Sequence, residues 1–131
     1  MAASPVAPAP LDVTDRGAFE SLVRETVSEH GRLDYLFNNA GTGIGVGPFL
    51  DIMSENWDLS WQVNVKGIVE FCRAVVPKMI ERGGGSIINT ASFVAVLGAA
   101  TPQVAYTASK GAVLALTREL AVIHALENIR V

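Results

Sequence analysis

The sequence predicts an α/β fold in which a parallel sheet carries helices on both faces. Helical and short apolar strand patterns alternate along the chain, and such alternation is typical of parallel sheets with covering helices. Half of the 131 residues are hydrophobic and 18% are charged, which excludes general disorder because the apolar content is far too high. The length predicts one small domain.

The N-terminal segment combines a short tail with a first helix. Residues 1–10 are rich in Ala and Pro, and proline cannot donate to a strand ladder, so this tail is a poor central strand. The helical spacing of apolar residues predicts a helix over 15–30. Thr14 is the predicted N-cap, Asp15 stands in the first turn, and Gly31 is the predicted stop.

A strand and a glycine-rich loop follow this helix. The short apolar run over 33–37 predicts a buried strand, which enters the turn-prone tetrapeptide 38–41. The glycines over 41–47 invite a phosphate-binding interpretation, but the G-x-G-x-x-G spacing fails at Val46 and at Pro48. This stretch is therefore predicted to be a flexible wall loop.

In the middle of the chain, the sequence predicts a long helical stretch that Ser54 caps and that ends at Arg82. A break could fall near Ser60, and Pro77 is expected to kink or shorten the helix. Three consecutive glycines at 83–85 are expected to stop it.

The C-terminal part repeats the order of strand and helix. The apolar run 86–90 predicts a second buried strand, and a loop over 91–100 follows it. The pair Thr101–Pro102 provides an N-cap and a first helical position for a last helix that runs to about residue 126. Residues 129–131 have the pattern of a third strand at its start.

Tyr106 and Lys110 form the chemical centre of the sequence, because residues four apart lie on one face of a helix. An ammonium group held beside a phenol favours the phenolate, and a more acidic phenol suits general acid/base work near neutral pH. The same spacing also joins surface neighbours on many helices, so the pair alone is a weak signal.

Two further polar residues have both a functional and a plain structural interpretation. Ser92 follows the C-terminal end of the strand 86–90, where open parallel sheets place ligands, and its hydroxyl could donate to a substrate carbonyl oxygen. Alone, it more simply bonds its own loop backbone. Asn64 stands inside a predicted helix, where asparagine is mildly unfavourable, and the plain interpretation places it on an exposed face.

Composition excludes several other classes of protein. A formal net charge of −3 gives no electrostatic footprint for nucleic acid, and no run of about 20 consecutive apolar residues predicts a membrane span. The single cysteine, Cys72, excludes an internal disulfide framework, and with two histidines beside it a zinc site is not expected. The N-terminus lacks the pattern of a secretory signal, so a cytoplasmic setting is expected.

Taken in chain order, these pieces resemble the short-chain dehydrogenases/reductases over roughly residues 11–131. The motifs that carry the resemblance are Asp12-Val13, Asn38-Asn39-Ala40-Gly41, Asn64, Ser92 and Tyr106-x-x-x-Lys110. Each motif is weak alone, but five in the right order are very specific. The resemblance implies a partial Rossmann-type, doubly wound parallel sheet and a nicotinamide dinucleotide cofactor, NAD or NADP.

The resemblance also implies a role for each motif. Tyr106 would exchange a proton with the substrate oxygen, and Lys110 would bind the nicotinamide ribose hydroxyls and make the phenol more acidic. Ser92 would orient the carbonyl or alcohol, and Asn64 would hold a water that links Lys110 to solvent. The implied reaction is reversible hydride transfer between NAD(P)H and a small carbonyl or alcohol substrate. The other residues expected to contact the cofactor are Asp12, Val13, Asn38, Ala40 and Gly41.

Two parts of the family pattern have no counterpart in these residues: the Gly-rich first strand and helix, and the last strands with the substrate lid. Residues 11–131 are therefore expected to form the central part of the domain, and the isolated chain is expected to bind NADH and NADPH weakly. The alternative is a catalytically incompetent, truncated relative that assembles with full-length proteins. In either case the helices over 58–82 and 102–126 are the expected subunit contacts.

Overall fold

A computed structural model describes residues 8–131, so most of the tail predicted for 1–10 lies outside the described residues. Within these residues there are four helices and three strands. Their bounds are α1 Arg16–His30, β1 Tyr35–Asn38, α2 Ser54–Trp61, α3 Gly67–Glu81, β2 Gly85–Asn89, α4 Val104–Ile123 and β3 Ile129–Arg130. A π-helical segment, Gln62–Lys66, joins α2 directly to α3, and short 3₁₀ turns cover Phe49–Asp51, Phe93–Ala95 and Ala125–Glu127.

The strands form one parallel sheet in the order β1–β2–β3. Leu36 pairs with Ile87, and Ile129 follows on the same face through the pairing of β2 with β3. Helices α1, α3 and α4 pack on this face and bury the core with it. The core cluster consists of Val23, Ile68, Cys72, Val75, Val76, Met79, Ile87, Val113 and Ile129.

The other face of the sheet carries three exposed apolar side chains. Tyr35, Phe37 and Ile88 are 72%, 62% and 51% exposed. The α/β class with a parallel sheet is confirmed, and within residues 8–131 the helices that supply the core cluster lie on one face of it.

The start of α1 corrects the predicted cap. Asp15, and not Thr14, is the N-cap, because its carboxylate accepts the N–H of Ala18 at 3.1 Å. Thr14 instead donates both its N–H and its hydroxyl to the carboxylate of Asp12. The predicted stop is confirmed, since Gly31 adopts a left-handed conformation with φ of 72° and donates its N–H to Val27.

The start of the long helical stretch differs from its prediction. Ser54 is the first helical residue and not the cap, because Met53 occupies the N-cap position. The α-helix is interrupted after Trp61, close to the predicted break near Ser60, by the π-helical segment, and it resumes as α3. Pro77 lies inside α3, which continues past it to Glu81.

The second half also needs corrections. Helix α4 begins at Val104, and Gln103 holds the N-cap position predicted for Thr101. Pro102 is not the first helical residue; its carbonyl accepts the N–H of Gly47 at 3.0 Å and so ties the glycine loop to the approach to α4. Gly85 is the first residue of β2 and not part of the glycine stretch that ends α3.

Helix α4 ends earlier than predicted, at Ile123, and a 3₁₀ turn continues to Glu127. None of the helices in residues 8–131 combines the length and the apolar character that crossing a membrane requires.

Candidate active site

The predicted site residues gather at the carboxyl ends of the strands. Asn38 ends β1, Ser92 follows β2 after two residues, and Tyr106 and Lys110 lie in the first turns of α4. In a parallel α/β sheet this edge is where ligands bind.

Lys110 is buried beside Tyr106, which excludes the interpretation of the pair as surface neighbours. Lys110 is only 3% exposed, and its Nζ lies 5.8 Å from the centroid of the Tyr106 ring. The ammonium donates to the carbonyl of Thr90 at 2.7 Å. Burial lowers the pKa of Lys110 below its ordinary value. Since an ammonium has three donors, two remain for other partners.

Asn64 is fully buried, so the exposed-face interpretation is wrong. The π-helical segment directs it toward the glycine loop, where its Oδ1 accepts the N–H of Thr42 at 2.7 Å and its Nδ2 donates to the Thr42 carbonyl at 2.9 Å. The same Nδ2 also donates to the hydroxyl of Ser109 at 2.9 Å. This asparagine therefore joins the loop to α4.

The backbone of Gly41 passes close to two polar groups of the site. A Cβ added at this residue would lie 3.3 Å from Asn64 Oδ1 and 3.3 Å from Lys110 Nζ. Both contacts would be tight, so the close approach of this backbone to the two groups favours a residue without a side chain.

Ser92 hydrogen-bonds the backbone of its own loop, as its plain structural interpretation predicts. Its hydroxyl oxygen accepts the N–H of Val94 at 3.4 Å and caps the 3₁₀ turn Phe93–Ala95. A serine hydroxyl can accept and donate at once, so this contact leaves its proton available to a ligand.

Three of the residues expected at the cofactor line a separate cavity of about 210 Å³ beside β1, whereas Asp12 and Gly41 do not. Val13, Asn38 and Ala40 contribute to its wall together with Val63 and Gly67. A Cβ at Gly67 would lie 3.1 Å from the Val13 carbonyl, a tight contact that favours glycine at this position.

Two of the expected cofactor residues are fixed by neighbouring side chains. Asn38 braces the sheet by donating to Asn89 Oδ1 at 2.9 Å. Asp12 is exposed, and its hydrogen bonds from Thr14 lower the pKa of its carboxyl.

Sequence reasoning missed three residues that complete the arrangement: Thr42, Thr90 and Ser109. Thr42 and Thr90 act through their backbone, which no side-chain pattern signals. Ser109 carried a signal, because it precedes Lys110 and stands one helical turn after Tyr106, but its bond to Asn64 depends on a contact between distant segments.

Comparisons with known proteins place the chain in a family. A family model described as short chain dehydrogenase matches residues 2–131. The 2-(R)-hydroxypropyl-CoM dehydrogenase of Xanthobacter autotrophicus is 45% identical over 121 residues, which are 91% of this chain and 48% of the relative. The 3-oxoacyl-[acyl-carrier-protein] reductase of Thermotoga maritima is 39% identical over 127 residues, which are 96% of this chain and 50% of the relative.

A solved structure is similar to this chain in both fold and sequence. An NAD⁺-bound xylitol dehydrogenase aligns with a TM-score of 0.87 and 39% identity over 92% of this chain and 46% of that protein. The chain spans about half the length of the curated relatives it matches. Since the family model and the relatives cover nearly the whole of its sequence, the chain belongs to the short-chain dehydrogenase/reductase family.

Proposed function

We propose that these residues serve reversible hydride transfer between NAD(P)H and a small carbonyl or alcohol substrate. The observation that supports this most directly is the buried ammonium of Lys110, whose Nζ is 5.8 Å from the centroid of the Tyr106 ring. Burying a lysine costs free energy, and such groups are concentrated at functional sites.

The residues fit a nicotinamide dinucleotide, NAD or NADP, which when bound supplies or accepts the hydride. Lys110 has two donors left for ribose hydroxyls, and its Nζ lies beside the exposed backbone of Gly41. Val13, Asn38 and Ala40 would line the cofactor, with Asp12 and Val13 at the adenine.

The protein's own residues handle the proton. In reduction, Tyr106 would donate its phenolic proton to the substrate oxygen while the carbonyl carbon receives the hydride, and in oxidation it would take that proton back. Lys110 would stabilise the phenolate left behind. Ser92 would donate a hydrogen bond to the same oxygen. Asn64 would hold, at the Oδ1 lone pair that Thr42 does not use, a water that returns protons from solvent toward Lys110.

A chimera tests this proposal. Residues of this chain would replace the matching 127 residues of the Thermotoga maritima reductase, and oxidation of NADH and NADPH would be followed with a panel of ketones. Tyr106→Phe is expected to lower kcat by about a hundredfold or more, the usual contribution of general acid/base catalysis. Tyr35→Phe, at an exposed tyrosine on the outer face of β1, is the control that should keep activity. If Tyr106→Phe retains most of the turnover, the proposed role is wrong.

We also propose that the chain assembles with a second copy or a relative through the helices over 58–82 and 102–126. A cavity of about 330 Å³ lies between α3 and α4, with Val69, Val76, Leu116 and Leu120 in its wall. At the end of α4 the apolar residues are uncovered, since Val122 is 76% and Ile123 54% exposed.

A further inference from the structure

Ser109 lies at the junction of the two halves of the candidate site, although it is not part of the family's motif residues carried over above. It is fully buried. Its hydroxyl donates to the carbonyl of Tyr106 at 2.7 Å and accepts from Asn64 Nδ2 at 2.9 Å. A hydroxyl has one proton, and that proton is used on Tyr106, so Asn64 must be the donor in the second bond.

These bonds make a continuous connection across the site. Thr42 backbone groups bond the Asn64 amide at 2.7 and 2.9 Å, Asn64 bonds Ser109, and Ser109 bonds the first turn of α4 at Tyr106. The connection passes the backbone of Gly41, which lies close to Asn64 Oδ1 and Lys110 Nζ. Both hydrogens of Nδ2 are thereby used, and the Oδ1 is fixed toward Thr42.

We propose that Ser109 is a positioning residue that fixes the Asn64 amide and the glycine loop relative to the helix that carries Tyr106 and Lys110. Its hydroxyl is used within the chain, on Tyr106 and on Asn64. Its role in the reaction rests on the proposed function, whereas the connection itself does not. Without its hydroxyl, one Nδ2 hydrogen of Asn64 loses its partner in a buried place, where an unpaired donor is costly. The loop would then lose its connection to α4 through Asn64 and would keep the bond between the Gly47 N–H and the Pro102 carbonyl.

The test uses the chain as it is, without cofactor, by nuclear magnetic resonance. Ser109→Ala is expected to accelerate hydrogen exchange of the Thr42 amide and of the Asn64 side-chain amide by about fivefold or more, the loss expected for one hydrogen bond. It should also shift the ring resonances of Tyr106 and leave those of Tyr35 unchanged. Unchanged exchange together with unchanged Tyr106 resonances would overturn the proposal.

Ser60→Ala is the matched control. Ser60 is also a fully buried serine, and its hydroxyl makes one bond to the same loop, at the carbonyl of Ile44 at 3.2 Å. Its loss should destabilise the chain to a similar degree while leaving the Tyr106 ring and the Asn64 amide unmoved. Equal effects of both variants on these two readouts would show a general structural role and contradict the positioning role.

The unmodified chain provides a measurement that does not depend on a variant folding. A slowly exchanging Ser109 hydroxyl proton should show a nuclear Overhauser effect to the Asn64 side-chain amide. Rapid exchange of the Asn64 amide, at the rate of the exposed Asn39 amide, would overturn the connection.

The chimera adds the reaction readout and separates the two proposals. There Ser109→Ala should lower kcat by about tenfold with little change in the KM for NADH, as a misplaced catalytic group does. If the Tyr106→Phe chimera stays active while the resonance results hold, the proposed function fails and the connection stands. A matching fall in kcat from Ser60→Ala would contradict the positioning role.

Discussion

At the scale of one residue, the site depends on Gly41 having no side chain. Its exposed backbone passes between the Asn64 amide and the Lys110 ammonium. A contact of 3.3 Å to a Cβ is tight, and the two neighbours are held by bonds to Thr42, Ser109 and Thr90, so neither can retreat freely.

Gly41→Ala is therefore expected to weaken cofactor binding by roughly tenfold or more, because small displacements at a reacting site have large effects. The KM for NADH in the chimera measures it. Gly43→Ala is the control in the same loop, since a Cβ there meets nothing within 4 Å. Equal KM values for the two variants would show that the close approach of the Gly41 backbone to these groups does not affect cofactor binding.

The residue scale also shows what the sequence can and cannot predict about the site. The spacing of Tyr106 and Lys110 predicts a shared helix face, and the structure places them together. The burial of Asn64 was not predictable, because it depends on a π-helical segment whose hydrogen bonds leave no mark on the apolar periodicity. Thr42 was missed because its contribution is made by the backbone alone.

At the scale of elements, the order of helices and strands was predictable and their ends were not. Apolar periodicity fixes the existence of an element, but its first residue depends on competing local hydrogen bonds. Thr14 and Asp15 are both good caps by residue type; Thr14 bonds Asp12, and this leaves Asp15 to cap α1. Thr101 is not the cap of α4, because the carbonyl of Pro102 accepts the N–H of Gly47.

Asp15→Ala is expected to lower the free energy of unfolding by about 1 kcal/mol, the usual value of an N-cap. Thr14→Ala should cost clearly less, because its bonds to Asp12 are exposed and lie outside α1. Urea unfolding of the two variants measures the difference. If Thr14→Ala lowered the free energy of unfolding more than Asp15→Ala does, Thr14 would be the cap.

Cys72 reports on the packing of α3. Burial raises the pKa of its thiol from 9.0 to about 11. The thiolate is the reactive form, so near pH 8 its fraction falls by about a hundredfold relative to an ordinary thiol. Alkylation of the folded chain should therefore be at least that much slower than alkylation in urea, and it should accelerate as the pH rises toward 11. Equal rates in both states would mean that the face between α3 and α4 is open.

At the scale of the whole molecule, one side of the sheet is packed and apolar residues remain exposed elsewhere. Leu126 is fully exposed at the end of the 3₁₀ turn after α4, close in sequence to exposed Val122 and Ile123. Exposed apolar patches of this kind mark interfaces. The outer face of β1 has a second such group in Tyr35 and Phe37.

The chain is expected to elute above its monomer mass of 13.9 kDa in size-exclusion chromatography with light scattering. Val122→Glu with Leu126→Glu should shift the mass toward the monomer, because charge at the centre of an apolar contact is costly. Phe37→Glu, on the outer face of the sheet, is the comparison that should leave the mass unchanged. A shift only with Phe37→Glu would move the interface from the helices to the sheet.

The parallel pairing of β1 with β2 sets a delay in the synthesis of the chain. Asn38 and its partner Asn89 are 51 residues apart, with two helices between them. At about 5–20 residues per second, a ribosome needs roughly 3–10 s to complete this distance. During that time β1 lacks its partner β2, while α2 and α3 can already form from local contacts. Between the emergence of Phe37 and that of Ile88, the edge of β1 that later pairs with β2 is therefore open to other strands.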